Sequence, residues 1–182
     1  MLFRPDRIAL TGFAPSARAG LATLLPLLAA DAAIPRLTCA AYMLATAEWE
    51  TWHTFAPVEE AGRGVGKPYG APVAVPLPDG TTTHNTYYGR GYVQLTWATN
   101  YAKMARLTGA DLVGQPDLAL DPEIAAVILL EGMKGGLFTG VGLPRYFSDA
   151  VDDPVGARRI INGTDHAADI AAIHAGFLAG LS

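Results

Sequence analysis

The chain of 182 residues has a single cysteine, Cys39, so no disulfide can form within it. Charge is scarce as well. Asp, Glu, Lys and Arg make up 16% of the residues against 51% hydrophobic ones, a balance that excludes intrinsic disorder. The net charge of −4 comes without a basic block: the arginines are scattered, and only Arg158 and Arg159 are adjacent, so the stripe that grips nucleic acid is missing. The histidines, His53, His84, His166 and His174, include no pair three or four apart and no nearby thiol, which argues against a structural zinc site. Long apolar runs are absent too. The uncharged stretches Ala19 to Ala30 and Gly91 to Ala102 have twelve residues each, where a spanning helix needs roughly 20. The first of them follows Arg18 and has the look of a signal-peptide core. Asp6 and Pro15 in its leader and Pro26 within it make an amphipathic helix the expected reading. No repeat or low-complexity linker divides the chain. One catalytic or binding domain over residues 1–182 is therefore expected, as a monomer, without cofactor, metal, nucleic acid or membrane insertion.

What is present is helical at both ends and irregular in the middle. Ser16 is placed to cap a first helix carrying Leu21, Leu24, Leu25 and Leu28 on one face. Pro35 opens a second helix, running to about Trp52. Glycines and prolines from Gly62 to Gly80 then break any helix, and Ala71 to Leu77 and Thr81 to Tyr88 flank Asp79-Gly80 as a small hairpin. Helices resume over Ala98 to Leu107, stopped by Gly109, and after Asp121-Pro122, stopped by Gly135-Gly136. A last one aligns Ile170, Ile173, Phe177 and Leu181. The expected class is mainly α, with a small β-hairpin and loop insertion.

Several motifs fail. Gly62 to Lys67 has the outline of a phosphate loop, but Ala61 and Pro68 stand where a Walker loop needs glycine and a hydroxyl residue. No Gly-x-Ser-x-Gly elbow exists. The carboxylates around the second helix carry more. Glu48, Glu50, Glu59 and Glu60 lie close together in a charge-poor chain. Met43, Thr46 and Ala47 share a face with Glu50, and the negative end of the helix dipole lies beside it. Both disfavour a carboxylate and suit a general acid. Glu59 and Glu60, on the way into the loop, are expected to be wetter and ionised, as a base requires. Two carboxylates in unlike surroundings suit glycoside hydrolysis; a solvated acidic helix end is the bland alternative. From Tyr87 to Trp97 the chain is aromatic and amide-rich, a composition that stacks on sugar rings and hydrogen-bonds their hydroxyls. A buried strand and turn would use the same residues.

That segment, read as Tyr-Tyr-Gly-Arg-Gly-x-x-Gln-Leu-Thr-Trp-x-x-Asn-Tyr from Tyr87 to Tyr101, resembles the signature of family 19 glycoside hydrolases, the chitinases and their phage and bacterial endolysin relatives. Ala41 to Ala61 resembles the helix and loop of the two catalytic glutamates. Gln115 to Ala119, Phe138-Thr139-Gly140 and Ile161 to Thr164 resemble further segments in the family's order, so that residues 36–182 read as the core and 1–35 as an N-terminal segment and helix. The resemblance implies a lysozyme-like α+β fold with the hairpin beside the cleft. It implies cleavage of β-1,4 links in an N-acetylated amino-sugar polymer with inversion. Bacterial peptidoglycan is the first expectation and chitin the alternative, with a sugar-binding module that lacks catalysis as a third. An endolysin would be made in the bacterial cytoplasm and act on the cell wall after release.

Residue by residue, the resemblance makes Glu50 the acid and Glu60 the base, with Glu59 as fallback, and Thr96 the hydroxyl that holds the attacking water. Gln94, Asn100, Tyr88 and Asn162 become sugar-binding residues. Gln94 is expected to matter more for binding than for folding. Two departures stand out: Trp49 replaces the usual histidine before the acid, and His166 replaces an acidic residue four positions after Asn162. The glutamates are ten positions apart, the short spacing of phage-type members.

Overall fold

The computed structural model describes residues 3–76 and 79–182. The first helix, α1, spans Pro15–Ala30 and buries Leu21, Leu24, Leu25 and Leu28, the face expected of it. Its start differs from expectation. Pro15, not Ser16, sets the entry: proline tolerates the first turn because its missing N–H would be unpaired there, and no side chain caps the Ala14 position. Pro26 sits within α1 on its exposed side, where water can bond the carbonyl its ring frees. Gly20 lets α1 approach the turn at Thr54 and Phe55 so closely that a Cβ would lie 2.1 Å from the Thr54 carbonyl oxygen.

The second helix, α2, spans Leu37–Glu50, entered two residues later than expected and ended two earlier. Every residue from Cys39 to Ala47 is buried, as befits a helix apolar on all sides at the centre of a core. The fifth helix, α5 (Ala167–Leu181), lies along it and buries Ile170, Phe177 and Leu181. Between them the chain forms two small antiparallel ladders. One joins β1 (Val58–Glu59) to β4 (Arg90–Gly91). The other is the expected hairpin of β2 (Val73–Pro76) and β3 (Thr82–Asn85), in register from Val73 with Asn85 to Pro76 with Thr82. Leu77, the expected end of its first strand, lies outside the described residues. Two more helices follow. The first, α3 (Ala98–Thr108), stops at Gly109 in the left-handed conformation. The second, α4 (Pro122–Gly135), starts where the Asp121 carboxylate accepts from the Glu123 and Ile124 amides, the expected cap, and ends at left-handed Gly136. The buried apolar side chains form one continuous core, and the fold is the mainly α, lysozyme-like one.

Among the described residues the core holds one histidine. His174 of α5 is buried against the rings of Tyr42 and Phe147, and its Nε2 donates to the Thr38 carbonyl oxygen at 3.2 Å. Burial pushes its pKa below the ordinary value of about 6.5, against the smaller opposing pulls of that hydrogen bond and of Asp152. The fold thus holds the neutral ring while the unfolded chain binds a proton below about pH 6.5, so stability falls as pH drops through that value. His174→Gln cannot titrate and should flatten the melting-temperature profile between pH 7.5 and 5.5. Parallel wild-type and variant profiles would show that His174 is not the group responsible.

Candidate active site

Glu50 closes α2 at the surface of the core, where its side chain is 14% exposed. Its carboxylate accepts from Arg158 Nη1 at 2.5 Å. Arg158 belongs to a 3₁₀ turn, Gly156–Ile160, and is 5% exposed. Its Nε donates to the Asp165 carbonyl oxygen at 2.9 Å, so the fork is clamped between the turn before α5 and the end of α2. Thr139 Oγ1 donates to the Arg159 and Ile160 carbonyls and ties the Phe138-Thr139-Gly140 segment to the same turn. The apolar neighbours anticipated for Glu50 are there, with Met43, Thr46 and Ala47 buried. A buried cation facing it was not anticipated.

The other carboxylates are placed by the β1–β4 ladder. Glu60 follows β1, and its amide donates to the Gly89 carbonyl at 2.7 Å. Its side chain accepts from the Tyr69 hydroxyl at 3.0 Å and from the Gly89 amide at 3.2 Å. Glu59 is engaged differently: hydrogen bonds from Arg63 at 2.6 Å and from the Tyr88 hydroxyl at 3.0 Å hold its pKa below the ordinary carboxylate range. Glu60, not Glu59, lines a hollow together with Glu50.

The signature segment doubles back on itself after β4. Arg90 and Leu95 exchange backbone hydrogen bonds, and Gln94 at the turn takes a φ of 51°. This fold-back directs Gln94 into the cleft, which consists of two adjoining hollows sharing Glu50 and Gln94. One holds Thr96, Asn100, Asn162 and Trp97; the other holds Glu60, Trp49, Trp52 and His53. Among the described residues the Thr96 hydroxyl and the Asn100 amide make no side-chain hydrogen bond, which leaves both free for a ligand.

Two expectations need correction. Tyr88 does not line the cleft. It is buried, its hydroxyl is spent on Glu59, and its ring is covered by the Arg90 guanidinium 3.6 Å from the centroid. Arg90 itself bonds the Tyr101 hydroxyl and pairs with Asp117, so the arginine of the signature is a brace for the segment. Gln94 is more than a rim amide. Its Nε2 donates to the Val58 carbonyl at 3.0 Å and the Gly91 carbonyl at 3.3 Å, locking β1 to the fold-back. Gln94→Ala is therefore expected to lower stability by about 1 kcal/mol, as the loss of part-buried hydrogen bonds does, alongside weaker sugar binding. A melting temperature equal to wild type would return Gln94 to a purely binding role.

Arg158, Trp52 and Tyr69 are among the cleft residues that sequence reasoning missed. The adjacency of Arg158 and Arg159 was visible, but nothing local marks Arg158 as the partner of a glutamate 108 positions away. The two departures from the family pattern prove to touch: the rings of Trp49 and His166 lie 4.7 Å apart between centroids. His166 also contacts Asp169 at 3.2 Å and holds a left-handed φ of 54° at the start of α5.

Comparison with known proteins points to one family. The model of the chitinase class I family, glycoside hydrolase family 19, matches residues 58–130. Endochitinase 1 of Theobroma cacao is 52% identical over 40 residues, 21% of this chain. Endochitinase CH25 of Brassica napus is 51% identical over 41 residues, 22% of this chain. These stretches span only 12% and 13% of the two relatives' lengths. In fold, chitinase C from Streptomyces griseus HUT6037 superposes with a TM-score of 0.60 at 22% identity, covering 90% of this chain and 68% of the other. A bacterial family 19 chitinase superposes at 0.57 and 24% identity, covering 94% and 88%. Residues 58–130 thus match the family 19 model, and over most of its length the chain has a fold similar to that of bacterial family 19 chitinases.

Proposed function

We propose that the protein is a glycosidase that cleaves β-1,4 links between N-acetylated amino sugars with inversion at the anomeric carbon. The observation that carries this reading is the shared cleft: Glu50 and Glu60 line one hollow, and the unengaged Thr96 and Asn100 line the hollow joined to it through Glu50 and Gln94. In the proposed reaction Glu50 gives its proton to the glycosidic oxygen as the C1–O bond breaks. Glu60 takes a proton from the water that attacks C1 from the opposite face. Thr96 holds that water, and Gln94, Asn100 and Asn162 hold sugar hydroxyls or acetamides. The carboxylate left on Glu50 is met by Arg158, a preorganised cation that needs no rearrangement as the charge develops.

Chitin takes precedence over peptidoglycan as the substrate, because the relatives are endochitinases by name and the similar structures are chitinases. The peptidoglycan reading rests on chain length and on the ten-residue glutamate spacing, neither of which is a substrate contact. Incubation with chitin hexamer and with purified peptidoglycan, read by mass spectrometry and by proton NMR of the first-formed anomer, separates the two. Short N-acetylglucosamine oligomers released as the α-anomer are expected. Release of muropeptides alone would transfer the substrate to the cell wall, and retention of the β-anomer would rule out single displacement.

A further inference from the structure

The glycine-rich run from Gly62 to Lys67, which fails as a phosphate loop, has another use in the fold. It winds through consecutive turns in which the Arg63, Val65 and Lys67 amides donate to the Glu60, Gly62 and Gly64 carbonyls, each at 2.9 Å. At its end the loop crosses itself. A Cβ on Gly70 would lie 1.9 Å from the Gly64 carbonyl oxygen, and one on Gly64 would lie 2.7 Å from the Gly70 Cα and 3.1 Å from the Tyr88 Cβ. Two glycines are thus what lets the loop close on itself against buried Tyr88. Tyr69 is the residue that this crossing presents to the cleft. It is half-buried, its hydroxyl donates to Glu60 Oε1 at 3.0 Å, and its ring meets Trp97 edge-on at 5.7 Å. The same side chain lines the hollow of Glu50, Thr96 and Asn100, whereas Glu60 lines the adjoining one. The loop therefore ties the carboxylate of one hollow to the wall of the other.

We infer that Tyr69 is a positioning residue for the base: its hydroxyl, carried in by the glycine loop, fixes the Glu60 carboxylate for proton transfer from the attacking water. This role rests on the glycosidase reading proposed above and assigns a further residue to that site. A carboxylate free to turn presents an oxygen to the water only part of the time, and holding it in the reactive geometry gains rate. Glu60 is held on both oxygens, since the Gly89 amide donates to Oε2 at 3.2 Å while Tyr69 donates to Oε1. Each oxygen keeps a lone pair for the water. The two donors differ in kind. The amide can only donate, whereas the hydroxyl rotates and can also accept. As the water oxygen bonds C1, its proton passes to the Glu60 carboxylate. A proton placed on Oε1 then finds the Tyr69 oxygen as its acceptor. Tyr69 keeps its own proton throughout, because burial and the hydrogen bond to Glu60 both raise its pKa.

The test measures turnover by the whole protein on chitin hexamer, or on purified peptidoglycan if that is the polymer the wild type cleaves. Tyr69→Phe keeps the ring against Trp97 and removes only the hydroxyl. It should lower kcat roughly tenfold, the equivalent of one hydrogen bond to a charged group. KM should stay within about a factor of two, because the lost contact acts on the base and not on the sugar. In a Glu60→Gln background the same substitution should change nothing, so that the double variant keeps the residual rate of Glu60→Gln alone. A tyrosine that only supports the fold would slow both backgrounds alike. Gly70→Ala, whose Cβ cannot fit the crossing, displaces Tyr69 without altering it. It should reproduce the kcat loss and carries the test if Tyr69→Phe fails to fold. Wild-type kcat in these variants, or an equal loss with and without Glu60, overturns the role and leaves the glycosidase reading standing. A wild type that cleaves neither polymer overturns both.

Discussion

Glu50→Gln should abolish most hydrolysis, a loss of order 10²–10⁴ in kcat, because it removes the proton donor while keeping the side chain's size. The ion pair with Arg158 adds a second consequence that the sequence alone did not carry. With glutamine at position 50, a guanidinium only 5% exposed loses its counter-charge, so the variant is expected to be less stable as well as inactive. Activity must therefore be compared at a temperature where calorimetry shows the variant folded. Binding of chitin oligomers should persist, since Gln94 and Asn100 are untouched. If folded Glu50→Gln protein hydrolyses substrate at the wild-type rate, the two-carboxylate mechanism is wrong, and a sugar-binding module becomes the better description.

Removing the other partner should be worse for the fold. Arg158→Gln strands the Glu50 carboxylate, loses the clamp to the Asp165 carbonyl, and frees the turn before α5. Breaking one side of a buried pair typically costs about 3–5 kcal/mol. For a chain of this size that corresponds to a fall in melting temperature of roughly 6–20 °C. The double variant, Glu50→Gln with Arg158→Gln, should be more stable than the sum of the single losses, because neither group is then left as an unpaired charge. Strict additivity in thermal or urea unfolding would mean that the two side chains do not interact. Activity of Arg158→Gln should fall together with that of Glu50→Gln, since in the proposed mechanism Arg158 both orients the acid and stabilises the charge it leaves.

How much of this could be read from the residues depends on how far apart the partners are in the chain. The apolar face of α1, the cap at Asp121, the stop at Gly109 and the hairpin around Asp79-Gly80 are each decided within a few residues, and the structure has all of them. The cleft was legible in its parts: Glu50, Glu60, Gln94, Thr96, Asn100 and Asn162 all line it. Tyr88 was misplaced because an aromatic ring in a signature segment serves equally as platform or as core. Its fate is decided by Arg90 stacking on it and Glu59 accepting its hydroxyl, neither of which composition discloses. The entry of α1 was misjudged by two residues, with proline's fixed φ prevailing over serine's capping preference. Arg158 and Trp52 were missed for opposite reasons. Arg158 is a long-range partner, and Trp52 stands on a turn with a φ of 52° that no propensity foresees.

The distance along the chain between Glu50 and Arg158 also governs when the protein becomes chemically competent. Both glutamates, α2 and the β1–β4 ladder lie within the first 91 residues. The cation that completes the acid arrives 108 positions after it, and closing so long a loop is entropically slow and unrewarded until the partners meet. A nascent or truncated chain that ends before residue 158 would thus carry both carboxylates and most of the cleft floor, yet hold Glu50 beside no counter-charge. Because α5 must dock along α2 for that turn to settle, packing of the C-terminal helix and arming of the acid are one event. On the mechanism proposed above, a half-made chain should be inert toward polysaccharide until its last helix is in place.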